Sequence, residues 1–288
     1  MSRTSASRAG AALLVVTVLG LTSSAGASPV RRPDATPSRT HVFKGVPCDL
    51  IEPAPNAAPF GTTPCRGVRP GGLIRVPAGA CSLNFIFRGS DRNIYAGTAG
   101  HCVITKPPAE KRYTGLRAPS VSDQYGSWIG NFAYAVLNDT KDFALVRLNR
   151  GVKYSPRMCH FGGPDGMYQK HDLGPAILRQ YGNGIYWGET LPARTLLAPT
   201  MSDPDIVFAA GEGGPGDSGS GVINAAGEAV GVLVAGVDCR STGTCVDGLP
   251  WLSSLIVITR LDVQLKRAEK VLGIKLTLLG AALDDSLL

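Results

Sequence analysis

The chain has 288 residues and a formal charge of +7, and its 29 lysines and arginines form no run longer than two, which argues against a nucleic-acid-binding face. Its seven cysteines include no C-x-x-C pair, and its four histidines (His41, His101, His160, His171) are neither paired at helical spacing nor clustered with acids, which argues against a zinc hydrolase. About 260 residues remain once the first 27 are set aside, enough to bury a sizeable core in one large domain or two compact ones.

Residues 1–27 read as a secretory signal peptide. Arg3 and Arg8 precede an apolar run from Ala11 to Leu21, and Ala25-Gly26-Ala27 supplies the small residues of a cleavage site. The run falls far short of the ~20 residues needed to cross a bilayer, so no stable membrane anchor is expected and the protein is predicted to be secreted into the extracellular space. Cleavage removes two arginines and no acid, leaving +5. An exported chain meets an oxidising compartment, which favours disulfides over thiolate metal sites.

Residues 28–70 are rich in proline, show neither a helical nor a strand period, and read as an extended N-terminal arm or short pro-segment. From Cys81 the texture changes to short β-branched or alternating runs, SLNFIFRG, NIYAGTAG, FALVRLN, AILRQYG, DIVFAAG, SGVIN, EAVGVLVAG and LIVITRL, separated by turn residues. This pattern predicts an all-β sandwich or barrel, with hairpin turns at residues 90–93 and 224–228. One segment differs. DVQLKRAEKVLG, residues 262–273, predicts a C-terminal helix with Asp262 as N-cap, Gly273 as stop, and an apolar face of Val263, Ala268, Val271 and Leu272.

Three motifs carry chemistry. Acyl transfer by serine needs a hydroxyl nucleophile, an imidazole to take its proton, a carboxylate to orient that imidazole, and backbone N–H groups for the oxyanion. Gly213-Gly214-Pro215-Gly216-Asp217-Ser218-Gly219-Ser220-Gly221 is a glycine-rich turn around a serine. Thr98-Ala99-Gly100-His101-Cys102 ends a strand-like run on a histidine, and Asp142 directly precedes the apolar FALVRL. A lone histidine or strand-start aspartate is usually structural or solvated. All three motifs in the order His, Asp, Ser, 41 and 76 residues apart, are poorly explained by chance.

On TAGHC, DFALVRL and GPGDSGSG, together with GGLIRVPAGACSLNFIF before the histidine, the sequence resembles the trypsin/chymotrypsin clan and, within it, the bacterial streptogrisin-like branch. The likeness spans about residues 71–265. It implies two six-stranded antiparallel β-barrels with a C-terminal helix. The first barrel, residues 71–155, would carry His101 and Asp142; residues 156–288 would supply the second barrel with Ser218, then the helix and tail. His101 would act as general base and then acid, Asp142 as its orienting carboxylate, Ser218 as nucleophile, and the N–H groups of Gly216 and Ser218 as oxyanion hole. Residues 230–236 resemble the segment that lines the specificity pocket and pairs with substrate backbone by β-augmentation. Glu212 corresponds in position to the pocket base of the animal trypsins, which favours a basic residue before the scissile bond; an apolar pocket floored by Val234, Ala235 and Gly236 is the rival.

The same resemblance implies a Cys81–Cys102 disulfide and a Cys239–Cys245 bridge closing a hairpin. Cys48, Cys65 and Cys159 remain: Cys48 with Cys65, or one of them with Cys159. It calls for neither cofactor nor metal, for protein or peptide substrates, and for a monomer. The sequence departs from the family where Ser220 stands in GDSGSG against the usual GDSGGP. It also lacks an Ile-Val-Gly-Gly terminus, leaving Asp217 to an internal arginine or to hydrogen bonds. Two other functions compete with a secreted serine endopeptidase. A secreted pseudoprotease would keep the fold and act by binding protein. An α/β-hydrolase esterase would need the reverse order of the three residues and a glycine at position 220.

Overall fold

The computed structural model describes residues 42–43, 46–47, 67–158, 163–184, 193–238 and 254–280, all within one compact unit spanning 39–288. The signal peptide, nearly all of the arm, and Cys48, Cys65, Cys159, Cys239 and Cys245 lie outside the described residues. Within the arm, β1 (Val42–Phe43) and β2 (Val46–Pro47) form a two-residue antiparallel pair.

Among the described residues the fold is all-β apart from one C-terminal α-helix and short 3-10 turns. The first sheet is built from β3 (Leu73–Val76), β4 (Gly79–Ser82), β5 (Ile86–Gly89), β6 (Ile94–Thr98), β7 (Ala109–Arg112), β8 (Ser120–Asp123), β9 (Trp128–Leu137) and β10 (Asp142–Leu148). The second comprises β11 (Gly166–Met167), β12 (Ala176–Tyr181), β13 (Ala193–Ala198), β14 (Ile206–Ala210), β15 (Gly221–Asn224), β16 (Glu228–Asp238) and β17 (Ser254–Arg260). In the second sheet β16 pairs with both β15 and β17, closing a six-stranded antiparallel barrel, and β11 adds to β16 in parallel. The first sheet holds nine strands rather than the expected six, the eight above and β18 (Leu276–Leu278), which returns from beyond the helix to pair with β5, and no pairing among the described residues closes it into a barrel. Two largely antiparallel sheets followed by a C-terminal helix match the chymotrypsin-like fold that the motif resemblance implies.

Strand β10 shows how the sequence divides the core. Its residues Phe143 to Val146 are all buried, between β6 and β9. Side chains alternate across a strand. Ala144 and Val146 therefore join Ile74, Leu83, Ile86 and Ile129 on one face, while Phe143 and Leu145 join Tyr134 and the helix on the other. A third cluster, including Leu178, Leu196, Val222, Leu233, Ile256 and Ile258, packs together within the second sheet.

The helix α1 (Leu261–Leu272) begins two residues earlier than expected. Arg260, not Asp262, is the N-cap, and Asp262 is buried in the first turn, where the helix dipole favours an acid. The buried apolar stripe is Leu261, Leu265, Ala268 and Leu272, while Val263 and Val271 lie half-buried at its flank. Gly273 ends the helix at φ 70°, in the left-handed region that glycine occupies readily. The hairpin turns at 90–93 and 224–228 form as expected between β5 and β6 and between β15 and β16. The long strand β9, WIGNFAYAVL, escaped the sequence pattern because Ile129, Gly130 and Phe132 to Val136 are buried without alternation. Among the described residues, no helix is long and apolar enough to cross a membrane.

Candidate active site

His101 lies in a 3-10 turn, Gly100–Cys102, at the end of β6, and Asp142 opens the adjacent β10. The Asp142 carboxylate meets the histidine twice. Oδ2 is 2.7 Å from His101 Nδ1, and Oδ1 accepts the His101 backbone N–H at 2.9 Å. An ionised carboxylate only accepts, so the Nδ1 contact places the imidazole proton on Nδ1 and leaves Nε2 with a lone pair. Asp142 is 8% exposed, its backbone carbonyl accepts from Thr259 Oγ1, and His101 stays half-exposed. Gly100 makes the double contact possible, since a β-carbon there would run into the Val136 carbonyl and approach Asp142 Oδ1. The small residues before the histidine thus make room for β9 and the carboxylate.

The Cys81–Cys102 disulfide, with Cα atoms 6.4 Å apart, anchors this turn to β4 as expected. Cys81, His101 and Cys102 cluster closely enough to suggest a metal site, but the two sulfurs are bonded to each other and offer no thiolate. In the Asp203/Asp205 pair, Asp203 Oδ1 accepts the N–H groups of Asp205 and Ile206, and Asp205 pairs with Lys141.

The serine turn is best understood by following each backbone group. The N–H groups of Asp217, Gly219 and Ser220 go to the carbonyls of Gly214, Leu233 and Asp217, and that of Gly214 to Asp217 Oδ2. The carbonyl of Gly216 accepts from Ser82 Oγ, that of Ser218 from Ser82 N, that of Gly219 from Asn84 Nδ2, and that of Ser220 from Leu233 N. Between Gly214 and Ser220, the N–H groups of Gly216 and Ser218 alone find no acceptor among the described residues. Gly216 sits at φ 97°, a conformation that costs glycine little. Ser218 is half-exposed, and its neighbour Gly219 packs so tightly that a β-carbon would strike Thr98 Oγ1 and lie 2.8 Å from Ala99 N. The serine turn therefore touches the strand end two residues before His101. No hydrogen bond joins the Ser218 hydroxyl to His101 in the described structure; such bonds commonly tighten only when substrate arrives.

Asp217, fully buried, is held by an internal arginine. Arg194 Nη2 of β13 pairs with Oδ1, which also accepts Gly184 N at 2.9 Å, while Oδ2 accepts Gly214 N. Gly184 has no room for a side chain beside that carboxylate. Ser220 also has a structural account: its buried hydroxyl accepts from Gln180 Nε2 at 3.1 Å. Sequence reasoning missed Ser82, Asn84, Gln180 and Arg194, since a polar residue within an apolar run carries no local mark of what it will reach.

The expected substrate-binding residues gather beyond the turn. As far as Val232, β16 pairs with β15 on one side; Leu233 then bonds with the serine turn, and from Ala235 onward β16 pairs only with β17 among the described residues. Ala235 and Gly236 are exposed and Val234 half-buried. Between this edge and the serine turn lies the Ile256 δ-methyl. It is 3.0 Å from where a β-carbon on Gly213 would sit and 3.3 Å from one on Gly236. Glu212 is half-buried, and its carboxylate has no hydrogen-bond or ion-pair partner among the described residues.

No protein-family model matches the chain, and no curated protein matches it in sequence. Solved structures of similar fold include Thermobifida fusca protease A, at 17% identity over 73% of this chain and 97% of that one, with a TM-score of 0.48. Nocardiopsis protease follows at 16% over 72% and 97%, with 0.47, and alpha-lytic protease homolog N4 at 17% over 72% and 97%, with 0.46. At TM-scores below 0.5 this likeness decides nothing about the chain, and what the site can do rests on its own geometry.

Proposed function

We propose that this chain is a secreted serine endopeptidase acting through an acyl-enzyme intermediate. Ser218 is the nucleophile, His101 the general base and then acid, Asp142 the orienting carboxylate, and the N–H groups of Gly216 and Ser218 the oxyanion hole. The observation that carries the reading is the convergence of two independent features. The His101–Asp142 pair is built so that Nε2 can accept a proton, and between Gly214 and Ser220 the N–H groups without an acceptor among the described residues are the two that an oxyanion would need.

The chemistry follows from these groups. Ser218 Oγ attacks the scissile carbonyl carbon as its proton passes to Nε2 of His101, and the imidazolium so formed is stabilised by Asp142. The carbonyl oxygen becomes an oxyanion between the two N–H groups. Collapse expels the amine, which takes the proton from Nε2, and water repeats the sequence on the ester. Substrate would lie as an extra strand against the open edge at Val234, Ala235 and Gly236.

For the residue before the scissile bond, the Ile256 methyl between Gly213 and Gly236 supports the apolar pocket and a small side chain. The rival is Glu212, whose unpaired carboxylate would select lysine or arginine. Digestion of a peptide library read by mass spectrometry tests activity and preference together. We expect cleavage after small apolar residues by wild type and none by Ser218→Ala. Cleavage confined to lysine and arginine, abolished by Glu212→Gln, would replace the apolar pocket. Binding of protein without cleavage by wild type would favour the pseudoprotease.

A further inference from the structure

Ser82 is fully buried at the end of β4, and its hydroxyl and backbone N–H both reach the serine side of the site. Its hydroxyl donates to the Gly216 carbonyl at 2.7 Å and accepts the Asn183 N–H at 2.9 Å. Its backbone N–H donates to the Ser218 carbonyl at 2.8 Å, and its own carbonyl accepts from Thr98 Oγ1 at 2.8 Å. A hydroxyl has one proton, and a carbonyl can only accept, so the direction of the Gly216 bond is fixed. Asn183 and Gly184 are consecutive, and their N–H groups go to Ser82 Oγ and Asp217 Oδ1 respectively. One hydroxyl from the first sheet thus ties the serine turn to the segment that holds Asp217.

We infer that Ser82 is a positioning residue for the oxyanion hole, an inference that rests on the assignment of the Gly216 and Ser218 N–H groups given above. Gly216 at φ 97° has no side chain to restrict it, so its peptide planes turn more readily than those of any other residue. Two anchors hold the turn from the first sheet: Ser82 Oγ on the carbonyl of Gly216 and Ser82 N on that of Ser218. With the hydroxyl removed, the Gly216 carbonyl and the Asn183 N–H lose their partners in a site closed to water. The Gly216–Asp217 peptide, freed of that bond, can then turn, and because Gly216 does not restrict its own dihedrals the adjoining Pro215–Gly216 peptide, which carries the Gly216 N–H, can turn with it and misdirect the donor. Asn84 assists from the same strand region through Gly219 but touches neither proposed donor residue.

The test compares wild type, Ser82→Ala and Ser82→Cys, a near-isosteric variant with a weak donor. Each is measured for kcat and KM on a peptide substrate, affinity for a peptidyl boronic acid that mimics the tetrahedral intermediate, affinity for the matching product peptide, and Tm. Losing one oxyanion donor costs about 100- to 1,000-fold in kcat, so a misaligned donor should cost about 10- to 100-fold. For Ser82→Ala we expect that loss in kcat, an equal loss in boronate affinity, and KM and product affinity within about twofold of wild type, with Ser82→Cys in between. Retention of kcat and boronate affinity within about twofold overturns the inference. So does an equal weakening of boronate and product, which would mark a general loosening. If Ser82→Ala does not fold, Ser82→Cys decides on the same two affinities. Wild type that neither turns over substrate nor captures the boronate overturns the serine-protease reading, and the role of Ser82 falls with it.

Discussion

The residues that do chemistry and those that hold them differ in how they can be found. TAGHC, DFALVRL and GPGDSGSG each place a reactive group and its local geometry within a few contiguous positions, so they are legible as text. Arg194 and Ser82 reach their targets across 23 and 134 positions, through strands whose pattern speaks only of burial. The sequence raises the question of Asp217, since it carries no Ile-Val-Gly-Gly motif, and the fold answers with Arg194. A buried carboxylate left without its guanidinium is costly, by about 3–5 kcal/mol. Arg194→Met should therefore lower the unfolding free energy by about that amount in urea denaturation and abolish activity in the folded fraction. Activity retained at full stability would show that Gly184 and Gly214 suffice to hold Asp217.

Among the elements, β10 and β16 place the site. The first carries Asp142 at its start beside β6, whose end becomes the histidine turn; the second bends away from β15 at the serine turn and leaves an open edge. Both were legible as apolar runs. β9 was not, because a strand buried on both faces loses the alternation that identifies strands. The helix was legible in place but not in its cap, since burial of Asp262 beside Arg260 outweighs its capping preference. The histidine turn has no long regular element to hold it, so the Cys81–Cys102 bridge matters most here. Closing a loop of 21 residues stabilises by about 3 kcal/mol through the unfolded state. The double variant Cys81→Ala/Cys102→Ala should lose about that much stability by denaturant titration. No measurable change would mean that β6 and β10 alone fix the turn.

Across the whole molecule, the two sheets are joined by hydrogen bonds that converge on the site. Ser82 and Asn84 cross from the first sheet to the serine turn, and Thr259 of β17 crosses to Asp142. Glu110 of β7 ties the first sheet to the helix through Arg267 and also accepts from Tyr134. Burial works to raise its carboxyl, yet the Arg267 and Tyr134 hydrogen bonds outweigh this and hold it below the usual carboxylate range. Asp91 is likewise lowered against the effect of burial by Asn93 and Tyr95, and Asp203 is lowered by the N–H groups of Ile206 and Asp205. Depressed carboxyls contribute stability above their unfolded values, near pH 4, and lose it as pH falls through their folded ones. Tm should therefore be flat from pH 7 to about 5 and fall below 4, and Glu110→Gln should reduce the size of that fall. A Tm that rises on acidification would contradict this assignment.

The central claim concerns one oxygen atom, the Ser218 hydroxyl, made nucleophilic by its surroundings. Reaction of the purified protein with a fluorophosphonate, followed by peptide mapping, tests it most directly. A single adduct on Ser218, absent in Ser218→Ala and strongly slowed in His101→Ala, is the predicted result. An unmodified wild-type protein, or an adduct that persists in Ser218→Ala, would contradict it.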